Sequence, residues 1–128
     1  MKSEKKERAA PFCRIPPSYD ISQETLEKVR AVMKEDISHT ITILKILSEP
    51  IRLRILKALS VKDLCVCVLV ELTNYKYPKL SYHLKLLKEA GLVNCKKEGN
   101  FLIYYLTEFG REMLEVVEKG MHRGNLGG

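Results

Sequence analysis

The chain has no apolar run long enough to cross a membrane. Its longest apolar stretch, LCVCVLV at residues 64–70, is far shorter than the roughly 20 residues that a membrane-spanning helix needs. The N-terminal residues MKSEKKERAA also lack the apolar core of a signal peptide. We therefore expect a cytoplasmic protein that has no membrane partner.

Catalytic motifs are missing as well. The 128 residues contain no evident Ser/His/Asp arrangement, phosphate-binding glycine loop or catalytic carboxylate pair. The Cys-x-x-Cys spacing typical of catalytic dithiols is also absent. A small thiol oxidoreductase that uses Cys65 and Cys67 is the remaining enzyme hypothesis, and we expect that the protein is not an enzyme.

Cysteine is scarce, and its placement is uneven. The four cysteines are Cys13, Cys65, Cys67 and Cys95. In a reducing cytoplasm they favour metal binding, redox sensing or packing over a disulfide framework. A lone cysteine in an apolar run often acts as a small buried hydrophobic residue. Two cysteines separated only by Val66 are harder to explain by packing alone, so burial and a pair of ligands both remain possible interpretations.

Acidic residues are nearly missing from one segment of a basic chain. The net charge is +6, and residues 76–97 contain a single acidic residue, Glu89, beside six lysines: Lys76, Lys79, Lys85, Lys88, Lys96 and Lys97. Such a local excess is typical of a polyanion-binding face, and a solvated lysine face with no partner is the alternative.

The remaining pattern predicts one domain with a short extension at each end. We expect a flexible arm at residues 1–20, which contains three of the five prolines, a domain at 21–120 and a frayed tail at 121–128. Apolar residues at steps of three and four predict a helix from Ser22, broken once near Asp36–Ser38.

Further elements follow from start and stop signals. We predict helices from Pro50, from an Asp63 cap to about Leu72, from Pro78 to Gly91, and from a Thr107 cap over 107–120. Two strands joined at Glu98-Gly99-Asn100 form a predicted hairpin.

Two short helices around a turn, followed by a basic hairpin, indicate a winged helix-turn-helix, a mainly α fold with a small β-hairpin wing. Its second helix would enter the major groove of double-stranded DNA, where Ser81, Tyr82 and Lys85 reach base edges or phosphates. Lys96 and Lys97 of the wing would sit on the neighbouring backbone.

Four segments resemble one family closely. SEPIRLRILKAL, DLCVC, KLSYHLKLLKEAGLV and KKEGNFLIYYL are similar, over about residues 37–110, to the arsenic-repressor branch of the ArsR/SmtB family. The resemblance implies a homodimeric winged-helix repressor whose first and last helices form the dimer. The resemblance also implies a near-palindromic DNA operator, to which the two reading helices of the dimer bind. The expected DNA-binding residues are Lys76, Tyr77, Lys79, Ser81, Tyr82, Lys85, Lys96 and Lys97.

The resemblance also implies a sensor for trivalent arsenic or antimony, with other soft thiophilic metals as alternatives and no permanent cofactor. Arsenic-sensing members carry E-L-C-V-C-D-L-C where this chain has DLCVCVLV, so Cys65 and Cys67 match but Val70 replaces the third cysteine. Soft trivalent centres favour three thiolates. Cys13 is the first candidate for the third ligand, and Cys95 is the second.

Helical geometry predicts how ligation would act. Side chains two residues apart point about 200° apart on a helix, so binding one ion at Cys65 and Cys67 would distort the helix start and release DNA. A Cys65–Cys67 disulfide would act similarly, so a redox-responsive regulator remains an alternative, as does a constitutive regulator with structural cysteines.

Two other features of the family pattern need an interpretation. His83, on the apolar side of its helix, is interpreted as a packing or hydrogen-bonding residue. The family's zinc site on the last helix is poorly supported, because only Glu108 matches, Gly110, Met121 and Gly124 replace the other ligands, and His122 is one residue out of place.

Overall fold

The computed structural model describes Pro16 and residues 18–127, with only the backbone described for 123–127. The chain divides after Asp36 into two compact units. The first contains helix α1 (Gln23–Met33), whose N-cap Ser22 accepts a hydrogen bond from the Thr25 N–H at 3.1 Å. None of the residues of α1 is buried.

The second unit is mainly helical and contains a small sheet. Its elements are α2 (Ser38–Leu47), α3 (Pro50–Val61), β1 (Leu64–Cys65), α4 (Val66–Thr73), α5 (Tyr77–Glu89), β2 (Val93–Glu98), β3 (Phe101–Leu106) and α6 (Glu108–Gly127). In the described part of the chain, no helix combines the length and apolarity needed to span a membrane.

The helices agree with the prediction in order and number. The break between α1 and α2 falls near Asp36–Ser38, and Pro50 occupies the first turn of α3. Thr107 caps α6 as expected, since its hydroxyl accepts from the Gly110 N–H at 2.9 Å. The last helix is longer than predicted, because α6 continues to Gly127 instead of ending at residue 120.

The predicted start of α4 was wrong. Asp63 does not cap this helix; Cys65 does, and its Sγ accepts from the Cys67 N–H. The reason is that Leu64 and Cys65 form a short strand, which pairs antiparallel with Tyr104 and Ile103 of β3. A residue before this strand cannot reach the first turn of the helix.

The sheet is built on the predicted hairpin. Its strand order is β1-β3-β2, and β2 pairs antiparallel with β3 from Val93↔Leu106 to Glu98↔Phe101. The two residues between the paired ends, Gly99 and Asn100, form the turn, as expected for a tight hairpin.

Within the second unit, one hydrophobic core joins helices α2 to α6 to the base of the wing. Leu56 of α3, Leu80 and Leu87 of α5, and Leu92 before β2 are fully buried. Gly91 ends α5 with φ +78°, a conformation that glycine adopts without strain, and this directs Leu92 into the core. The reading helix and the wing are therefore fixed to the same core.

Candidate nucleic-acid interface and thiol pair

Helix α5 separates a buried side from an exposed side. Leu80, His83, Leu84 and Leu87 are buried. The other side, which we call the reading face, consists of Tyr77, Lys79, Ser81, Tyr82 and Lys85. Ser81 is half-buried and the other four are exposed, with 51% of Tyr77 and 56% of Tyr82 accessible. The amphipathic pattern therefore leaves polar and aromatic groups available to a groove.

Two of the lysines predicted to bind DNA stand over tyrosine rings. The Nζ atom of Lys79 lies 5.2 Å from the centroid of the Tyr75 ring, and that of Lys96 lies 5.8 Å from the Tyr105 centroid. These distances are within the range of cation–π attraction, which favours these positions of the ammonium groups. Lys76, the N-cap residue of α5, and Lys97 on β2 are also exposed.

His83 is buried beneath the reading face, and only 6% of it is exposed. Its Nδ1 accepts a hydrogen bond from Arg52 Nε at 3.1 Å. Burial lowers the pKa of His83 below its ordinary range, and the positive charge of Arg52 adds to this effect. This environment agrees with the interpretation of His83 as a packing and hydrogen-bonding residue.

Cys65 and Cys67 are adjacent in space. Their Sγ atoms lie 2.6 Å apart, and the Cys67 N–H donates to Cys65 Sγ at 3.4 Å. The expectation that a regular helix would hold the two side chains apart was wrong here. Cys65 is the N-cap of α4 and has extended dihedral angles, φ −66° and ψ 144°, so helical spacing does not apply to it.

The two thiols differ in acidity. The Cys67 side chain and then the Cys67 N–H donate to Cys65 Sγ, and both hydrogen bonds lower the pKa of Cys65. The same side-chain contact raises the pKa of Cys67, and desolvation adds to that increase. Cys65 is half-buried and Cys67 is exposed. Of the two thiols, Cys65 is therefore the more acidic.

The two candidate third ligands are placed differently. Cys13 lies outside the described residues. Cys95 pairs with Tyr104, whereas Cys65 pairs with the next residue of β3, Ile103. Successive residues of a strand point to opposite faces, so Cys65 and Cys95 project from opposite sides of the sheet with β3 between them. The structure does not bring Cys95 to the pair.

Gly110, one of the positions that lack a ligand in the family's zinc pattern, has a packing role in this structure. Gly110 is buried, and a Cβ atom there would lie 1.9 Å from the Leu92 carbonyl oxygen, so the close approach of α6 requires glycine. Across Pro16 and residues 18–127 there is no group of three or more His, Cys, Asp or Glu side chains that could hold a metal ion.

Comparison with known proteins identifies the family. Residues 49–94, from the residue before α3 to the start of β2, match the model for "Bacterial regulatory protein, arsR family". The arsenical resistance operon repressor of Staphylococcus xylosus is 41% identical over 80 residues, which cover 62% of this chain and 74% of that protein. The chain belongs to the ArsR family.

Solved structures share the architecture. HlyU from Vibrio cholerae is 30% identical, with a TM-score of 0.60 over 68% of this chain and 96% of that chain. The homodimeric winged helix-turn-helix DNA-binding domain of Mb0332 from Mycobacterium bovis gives a TM-score of 0.64 over 74% of this chain and 86% of that chain. At 23% identity, it supports the fold alone. The predicted fold class is confirmed.

Family membership also decides the broad function. ArsR-family proteins are DNA-binding transcription regulators, so the chain is a regulator and not an enzyme.

Sequence reasoning missed two parts of the site. Strand β1 contains only two residues, and LCVCVLV has no alternation that separates it from the helix that follows. Arg52 was also missed, because its bond to His83 joins residues 31 positions apart. The available signal in the sequence was that Arg52, a basic residue, stands between two apolar residues, Ile51 and Leu53.

Proposed function

We propose that the chain acts as a homodimeric repressor that releases a near-palindromic operator when Cys65 and Cys67 bind trivalent arsenic or antimony. The observation that carries this proposal is the 2.6 Å separation of the two Sγ atoms. Soft trivalent ions favour thiolates, and Cys65 has a pKa lowered by hydrogen bonds. The similarity to an arsenical resistance operon repressor supports the choice of ligand.

Cys65 links the thiols to both DNA-binding elements. It belongs to β1, which pairs with β3 of the wing, and it caps α4, the helix before the reading helix α5. Binding an ion removes the Cys67 S–H that donates to Cys65 Sγ and draws both sulfurs toward the ion. The two-residue strand β1 and the first turn of α4 would shift, and the two reading helices of the dimer would lose their spacing.

The proposed dimer uses the predicted first helix, whose part after the break is α2, and the last helix α6, and both carry exposed apolar side chains. Leu44 is 52% exposed, and Val116 and Met121 are 63% and 67% exposed. A monomer rarely leaves so many large apolar side chains on two neighbouring helices in water. Cys13 is the proposed third ligand, supplied by the N-terminal arm.

A DNA titration with arsenite tests the proposal. A duplex enriched from a random library by the parent protein serves as the probe, and fluorescence anisotropy reports binding. We expect arsenite to lower the parent's affinity at least tenfold, and Cys65→Ser and Cys67→Ser to bind DNA normally without responding. Cys95→Ser is the matched control and should respond like the parent.

The remaining variant and the parent's own titration complete the test. Cys13→Ser should respond only at higher arsenite concentrations. If the parent's affinity is constant over the whole arsenite range, the metalloid proposal is wrong.

A second candidate function is thiol-based redox sensing, which the same proximity of the sulfurs favours. A peroxide would remove two electrons and two protons from the pair and form a Cys65–Cys67 disulfide. The same duplex distinguishes the candidates: a redox sensor releases DNA with peroxide and rebinds with dithiothreitol. A constitutive regulator stays bound in arsenite and in peroxide.

A further inference from the structure

The His83 ring lies close to two tyrosine rings on or next to the reading face. The ring centroids of His83 and Tyr82 lie 5.4 Å apart in an edge-on arrangement with an interplanar angle of 66°. The centroid of the Tyr75 ring lies 5.9 Å from that of His83, and Lys79 stands over Tyr75. His83 therefore contacts one exposed tyrosine of the reading face directly and reaches a lysine of that face through Tyr75.

Arg52 determines how His83 is oriented. Guanidinium groups only donate hydrogen bonds, so the bond from Arg52 Nε leaves Nδ1 of His83 as an unprotonated acceptor and places the neutral ring's proton on Nε2. Arg52 Nη1 also donates to the Ile46 carbonyl oxygen at 3.4 Å, near the end of α2. A single half-buried side chain on α3 thus contacts both α2 and the reading helix.

We infer that Arg52 and His83 are positioning residues for DNA reading: Arg52 holds the neutral His83 ring, and that ring holds Tyr82 and Tyr75 in the geometry that fits the groove. His83 is buried and Arg52 belongs to α3, so each would act through the residues of α5 that it supports. The inference rests on the proposed DNA-binding face, and it is independent of ligation at Cys65 and Cys67.

Protonation would break this arrangement. A proton on Nδ1 removes the acceptor and places a second positive charge beside Arg52. The charged groups that face His83 are Arg52 and Glu49 from the start of α3 and Lys79 from α5, and the two cations outweigh the one carboxylate. Folding lowers the pKa of His83. The contribution of neutral His83 to the free energy of unfolding is therefore complete above the ordinary pKa of about 6.5, and it is lost as the pH falls through the pKa of His83 in the folded protein.

The test compares sequence-specific with non-specific binding. The parent and its variants are titrated with the selected duplex and with a scrambled duplex between pH 5.5 and pH 8. The measured quantity is the ratio of the two affinities. Loss of folded protein would weaken both duplexes equally, so the ratio responds to the geometry of the reading face alone.

Three variants and two controls define the expected result. His83→Leu and Arg52→Met should each lower the ratio about tenfold at pH 8, the size expected for losing a part-buried hydrogen bond. Arg54→Met, an exposed arginine on the same helix, should keep the parent's ratio. His83→Asn retains an acceptor near the Nδ1 position and cannot be protonated, so it should keep most of the ratio at pH 8.

The pH profile separates positioning from simple packing. The parent's ratio should hold near pH 6.5 and fall only as the pH drops further, through the lowered pKa of His83 in the folded protein, whereas the ratio of His83→Asn should stay flat. His122→Asn, at an exposed histidine, should follow the parent. Provided that the parent prefers the selected duplex, either of two results overturns the inference. One is that His83→Leu and Arg52→Met keep the parent's affinity ratio. The other is that His83→Asn shows the parent's pH dependence. A parent with equal affinity for both duplexes would instead refute the proposed function.

Discussion

Among single residues, Cys65 combines three structural and chemical roles. It ends β1, caps α4 and carries the thiol whose pKa is lowered. A serine at this position could cap the helix equally well, because Ser is among the preferred N-cap residues. Cysteine is therefore not required by the fold at residue 65, and its thiol chemistry provides a reason for its presence.

The unequal acidity of the pair predicts selective alkylation. With limiting iodoacetamide at pH 7, Cys65 should react several-fold faster than Cys67, because a lowered pKa increases the thiolate fraction below that pKa. Tandem mass spectrometry locates the adduct. Cys67→Ala removes the donating S–H, so the Cys65 rate should fall, whereas Cys95→Ala should leave it unchanged. Equal rates at Cys65 and Cys67 in the parent would contradict the assigned donor and acceptor.

Among the elements, α6 depends on a close contact at its first turn. The Leu92 carbonyl oxygen accepts from the Thr107 N–H at 3.2 Å, and Gly110 lies directly against this oxygen. The glycine that replaces a metal ligand in the family pattern thus has a structural role: it allows α6 to pack against the segment between α5 and the wing.

This contact predicts opposite effects for two glycines of the same helix. Gly110→Ala should destabilise the protein by about 2 kcal/mol or more, because its Cβ would collide with a backbone oxygen that cannot rotate away. Gly120→Ala meets no atom within 4 Å and should stabilise α6 by about 0.5–1 kcal/mol. Urea denaturation at one fixed protein concentration measures both changes. Similar midpoints for the two variants would show that α6 is free to shift at residue 110.

The elements also show what sequence reasoning can and cannot find. Helix α5 and the hairpin were predicted because their signals are local: leucines at helical spacing, Gly91 at the end, and a two-residue turn between β-rich runs. Strand β1 was missed because it exists only through its pairing with Tyr104 and Ile103, 40 and 38 positions along the chain. The same non-local pairing moved the cap from Asp63 to Cys65. The thiols were identified from sequence, whereas their proximity depends on that cap.

For the whole molecule, the arrangement of charge matters more than its total. The net charge is +6, and the lysines of the reading face and the wing lie on elements that share one core. Binding to DNA should therefore release several counterions at once and weaken steeply with salt. A dimer makes each such contact twice. The slope of log affinity against log salt therefore depends on the number of bound protomers as well as on the number of lysines.

Lys85→Gln tests the DNA face and the dimer together. Lys85 is exposed on α5, and losing one phosphate contact changes the slope of log affinity against log salt by about 0.9. If two copies bind one operator, the slope should become less negative by about 1.8, because each copy loses one contact. Lys119→Gln, which removes the same charge from exposed α6, should leave the slope unchanged. A change of about 0.9 would indicate that one protomer binds the duplex, and no change would remove Lys85 from the interface.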